Sequence, residues 1–206
     1  MDWWQAWRGF VELTAQFDLL LALFGLGLAM APLKAGALAA AVVLFLTSDL
    51  AAALGAHELI TRFAPIQAAL ANQSLLGALA SLIAGTALLA PPVAAVPAGL
   101  LAALANGAIA GLVIGYRSPA GPDELSFVIG ALSASAVACC AALAVRRVLG
   151  NPAWTRIAGR IVGAWLIAIA GLLLTLPAAP KHASAEKPSV SSLPPAPKAF
   201  RSVVPP

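Results

Sequence analysis

The sequence predicts an all-α fold: a polytopic transmembrane helical bundle of about six spans, followed by a disordered C-terminal tail. Three observations carry this. The 206 residues are 61% hydrophobic and only 10% charged, against roughly 45–50% apolar and about 25% charged in soluble domains. The mean hydropathy is +0.94. Six separate apolar runs occur between Phe17 and Leu176. A water-soluble fold of this size has too little interior to hide so much apolar surface, whereas a bilayer solvates the outward face. The runs are continuous and Ala/Leu-rich, which suits helices; a membrane barrel would alternate over strands of about ten residues.

The elements follow in order. Residues 1–12 form an aromatic N-terminus, with Trp3, Trp4 and Trp7 suited to the headgroup level, where an indole keeps its N–H wet and its body dry. No basic n-region precedes them, so the segment does not read as a cleaved signal. Residues 13–177 form the membrane domain. Its first run is Phe17 to Leu33, with a start as early as Leu13 allowed, and its second is Ala35 to Gly55. Ala56 to Ser74 is more polar and reads as an interfacial loop with one or two amphipathic helical turns. Leu75 to Ala90 is the third run, Pro97 to Gly115 the fourth, and Leu125 to Val145 the fifth, stopped by Arg146 and Arg147. The sixth runs from Ile157 to Leu176. Residues 178–206 are rich in Pro, Ala, Ser and Lys and hold too few large apolar groups to fold.

The net charge of +4 belongs to topology rather than to nucleic acid. The cluster Arg146, Arg147, Arg156 and Arg160 in one short connection places that loop in the cytoplasm and both termini in the periplasm. The partners expected are the lipid bilayer, in a bacterial-type inner membrane, and other membrane-protein subunits.

Within the runs, Gly107, Gly111 and Gly115 share one face of the fourth and predict close helix packing; Ala80/Ala84 and Gly159/Gly163 repeat the device. Asp18 and Asp49 need a reason, since an aspartate at a helix centre costs about 2.5–3.5 kcal/mol on insertion scales. Either each is hydrogen-bonded between helices or at an interface, or it is a cation or proton site. Glu12 and Gln16 sit a turn apart near the start of the first span and Thr14 sits a turn before Asp18, making an oxygen-rich helix entrance suited to a hard or borderline cation. Cys139 and Cys140 point about 100° apart on a helix; both are expected to be small buried packing residues. His57 beside Glu58 reads as a surface pair, and no enzyme motif is present.

Gly9-Phe10-Val11-Glu12-Leu13-Thr14-Ala15-Gln16-Phe17-Asp18-Leu19-Leu20-Leu21-Ala22 falls in register with Gly-Phe-x-His-Pro-x-x-Gly-x-Asp-His-Leu-Leu-Ala, the first-span pattern of the HupE/UreJ membrane proteins. The chain resembles that family, whose members accompany hydrogenase and urease maturation and are regarded as nickel or cobalt permeases. Asn106-Gly107-Ala108-Ile109-Ala110-Gly111 is similar to its His-Gly-x-Ala-His-Gly. Gly130 to Cys139 is similar to its Gly-Phe-x-x-Ala-Thr-Ala-x-x-His. The resemblance covers roughly Gly9 to Leu176. It implies a divalent-metal permease with altered ligands, with Asp18, Glu12, Asn106 and Cys139 as the candidate metal set and nickel or cobalt as cargo. The family's histidines are absent, and imidazole is a favoured nickel ligand. A second expectation is therefore a non-transporting accessory subunit or assembly factor of a larger membrane complex.

Overall fold

A computed structural model describes residues 2–63, 67, 70, 72–119, 121, 123–150 and 153–175. Among them all regular structure is helical: α1 (Trp3–Thr14), α2 (Phe17–Met30), α3 (Ala35–Arg62), α4 (Gln73–Leu89), α5 (Ala95–Arg117), α6 (Glu124–Leu149) and α7 (Ala153–Thr175). The tail expected over 178–206 lies outside the described residues, as does most of 64–71.

Each of the six apolar runs becomes one helix, α2 to α7. Four of these, α3, α5, α6 and α7, are long and apolar enough to cross a membrane alone. The pair α1–α2 passes the same test together but is bent by 84°, and α4 is shorter. A helix of 14 residues spans only about 21 Å, less than the ~30 Å hydrocarbon core. α2 tolerates this because it is sheathed by protein rather than lipid: Leu19, Leu23, Leu26 and Met30 are all buried. By contrast α3 turns Val43, Leu46, Leu50 and Leu54 outward, as a lipid-facing surface requires.

Several expected boundaries move. The aromatic N-terminus is a helix: Asp2 caps α1 by accepting a hydrogen bond from the Trp4 N–H at 3.0 Å. Ala6, Gly9 and Leu13 are its buried residues, while the three indoles face out. α3 runs on to Arg62, so the first two turns of the expected loop are helical. Arg146 and Arg147 do not stop α6; they occupy its last turn, where cations suit the helix C-terminus, and Gly150 at φ 72° ends it. Pro97 lies inside the first turn of α5, where its missing N–H has no intrahelical partner to lose.

Small residues set the packing. A Cβ on Gly107 would lie 2.5 Å from the Phe45 carbonyl oxygen, one on Gly111 would strike the Asp49 carbonyl, and one on Gly115 the Ala53 carbonyl. Steps of four on both helices make α3 and α5 a parallel pair in fixed register. On α4 and α7 the order is reversed: Gly159 faces Leu88, whereas Gly163 meets Gly85 O at 3.0 Å. That pair is antiparallel. Gly9 and Gly130 bring α1 onto α6 in the same way, against the carbonyls of Phe127 and Ala6.

Candidate functional site

Asp49 lies midway along α3, about 20 Å from either end at 1.5 Å per residue. It falls on the inward face with Phe45, Ala53 and Ala56, spaced four, four and three residues apart, and its exposure is 0%. Neither carboxyl oxygen has a well-formed hydrogen bond. Its polar neighbour is the Ser135 hydroxyl on α6, which donates instead to the Ala131 carbonyl at 3.3 Å. Rotation of that hydroxyl would satisfy one carboxyl oxygen and leave the other.

Asn106 sits midway along α5, also at 0% exposure. Its Nδ2 donates to the Ala102 carbonyl at 3.0 Å, and its Oδ1 has no partner. It adjoins Gly107, so in the parallel register it lies about one helical turn from the level of Asp49. The third helix brings the thiol of Cys139, which is within electrostatic reach of Asp49 and donates to the Leu23 carbonyl at 3.3 Å. The interior of the bundle thus holds a carboxyl, an amide, a hydroxyl and a thiol near mid-helix, with unsatisfied acceptors on the first two. A buried carboxyl without a counter-ion requires a proton or a cation, because an isolated ionised group in an apolar medium is prohibitively costly.

The four residues expected as metal ligands have different surroundings. Glu12 is engaged by the Arg117 guanidinium at 2.6 Å, a pair tying α1 to α5. Asp18 is half-buried in the first turn of α2, where the helix N-terminus favours a carboxylate, and its Cβ packs against Gly77 of α4. The expected entrance residues do not share one helix: Glu12 and Thr14 lie on α1 and Asp18 on α2, either side of the 84° bend. Only Asn106 and Cys139 lie in the bundle interior. Among the described residues no three His, Cys, Asp or Glu side chains form a group able to hold a metal ion. Cys140 departs from its expected burial: it is exposed while Cys139 is buried, as their angular separation on α6 dictates.

In the sequence Asp49 stands out by its cost and Ser135 does not. A serine in an Ala-rich helix is common, and only the approach of α6 to α3 gives it a role. Compared with models of known families, with characterised proteins and with solved structures, the chain has no match.

Proposed function

We propose that this chain is a multi-pass transporter-type protein of a bacterial-type inner membrane, handling a cation at a carboxyl buried in the bundle. The observation that carries the reading is Asp49: fully buried, midway along a spanning helix, with neither oxygen firmly bonded. Intramembrane acids are expensive, and in a bundle interior they mark ion or proton pathways by default. Asp49 is the acceptor; Asn106 Oδ1 and the Ser135 hydroxyl supply further oxygens. The set favours a proton or a cation that accepts oxygen ligands over one that demands imidazole. Nickel and cobalt remain the cargo that the HupE/UreJ resemblance implies, with altered ligands.

A specific observation favours the second reading, an accessory subunit or assembly factor: Glu12 of the expected metal set is already engaged by Arg117, and the described residues hold no metal-binding group. Purified protein in proteoliposomes separates the two. The transporter reading expects nickel, cobalt or proton flux in the wild type and its loss in Asp49→Asn, which keeps the shape and removes the charge. If the wild type neither binds either metal at micromolar concentration nor conducts protons, the subunit reading stands. Purification in mild detergent should then bring down a stable partner.

A further inference from the structure

The ends of five helices enclose a cavity of about 580 Å³ at one end of the bundle. Its lining combines apolar residues, among them Pro32, Leu88 and Ala95, with Arg146, Arg156 and Arg160. Arg156 and Arg160 are one turn apart on α7 and are exposed. Arg146 reaches in from the last turn of α6, with Nη1 donating to the Leu28 carbonyl at 2.7 Å. That nitrogen would lie 3.6 Å from a Cβ on Gly159, an ordinary contact distance, so Arg146 reaches the stretch of α7 between its two arginines. One guanidinium is therefore anchored and two are exposed, and among the described residues no carboxylate forms an ion pair with any of them. Three like charges line one mouth, with no counter-ion among the described residues.

We infer that this mouth binds an anionic phospholipid of the adjoining leaflet, its phosphodiester among Arg146, Arg156 and Arg160 and its acyl chains against the apolar lining residues and the outer face of α7. Guanidinium groups recognise phosphate through paired N–H donors, and basic pockets between helix ends are known headgroup sites. A free phosphate ion would use the arginines but has nothing to place against Pro32 and Leu88. A lipid uses both kinds of lining residue, and Ile157, Ile161 and Trp165 carry an exposed apolar surface on from the mouth along α7.

The full chain is reconstituted in phosphatidylcholine vesicles with and without phosphatidylglycerol, and retained lipid is read by native mass spectrometry. The wild type should keep phosphatidylglycerol in preference to phosphatidylcholine, and added salt should weaken it. At about fivefold per guanidinium, Arg156→Gln/Arg160→Gln should weaken retention roughly 25-fold, whereas Arg8→Gln on α1 should not. Arg156→Lys/Arg160→Lys keeps the charge and should lose less. Equal retention by the wild type and the double glutamine variant, or retention insensitive to salt, overturns the inference. Displacement of phosphatidylglycerol by inorganic phosphate at matched concentration overturns the lipid and assigns the site to a free anion.

Discussion

The α3–α5 and α4–α7 seams use one device to opposite ends. In both, small residues let backbones approach until a Cβ would collide. Yet α3 and α5 run parallel and enclose polar groups at mid-depth, while α4 and α7 run antiparallel and gather their charge at one end, in the arginine mouth. Glycine contacts supply proximity and are indifferent to direction. What differs is the depth of the polar groups, and the bilayer prices depth. An arginine at a helix end reaches headgroups and water; a carboxyl about 20 Å from both ends reaches neither. The first arrangement is cheap, while the second has a cost that calls for a use.

The sharpest way to break the comparison is steric. Gly111→Leu would drive a side chain into the Asp49 carbonyl and Ala52; overpacking typically costs about 1–3 kcal/mol and more against rigid backbone. We expect loss of the monodisperse species in detergent gel filtration. Gly171→Leu, with nothing within 4 Å of its Cβ position, should leave that profile unchanged. Next comes polarity. Asp49→Leu removes a buried group that lacks a firm partner, so thermal unfolding in detergent should show a stability gain of about 1–3 kcal/mol; the proposed transporter reading adds loss of cation flux. A destabilised variant would show that the carboxyl is structurally paired after all.

Smaller effects lie at the edges of the bundle. Glu12→Gln weakens a partly exposed pair with Arg117 and should cost no more than about 1 kcal/mol, fading as salt is raised. Asp2→Ala removes the α1 cap. It should cost about 1 kcal/mol locally, seen as faster amide exchange in the first turn of α1 with the rest of the bundle unchanged.

Much of this was legible before any coordinates. Six apolar runs gave six helices, and Gly107, Gly111 and Gly115 announced a tight face. The bend at Ala15–Gln16 was not legible, because neither proline nor glycine marks it; the Gly9 contact with Phe127, more than a hundred residues away, accompanies the turn of α1 onto α6. The arginine cluster was visible as a topology signal, but a cavity needs the ends of α2 and α4 as well, and nothing local predicts their arrival. Asp49 stood out by its cost; its neighbours did not, since Asn106 and Ser135 belong to other helices.

The glycine ladder between α3 and α5 has the properties of a vernier. Phe45, Asp49 and Ala53 meet Gly107, Gly111 and Gly115 at equal intervals, so sliding one helix by four residues, about 6 Å, would bring a glycine back under a carbonyl at two of three marks. Shape alone leaves such neighbouring registers close in energy. Asp49 and Asn106 each occur once along the seam, and like a single buried asparagine in a coiled coil they can distinguish one alignment from the next. With both replaced by leucine, the distance distribution between probes at the exposed positions 54 on α3 and 101 on α5 should broaden as slipped alignments are populated. The polar groups that make this seam costly to insert would then be the index mark by which an otherwise repeating scale is read.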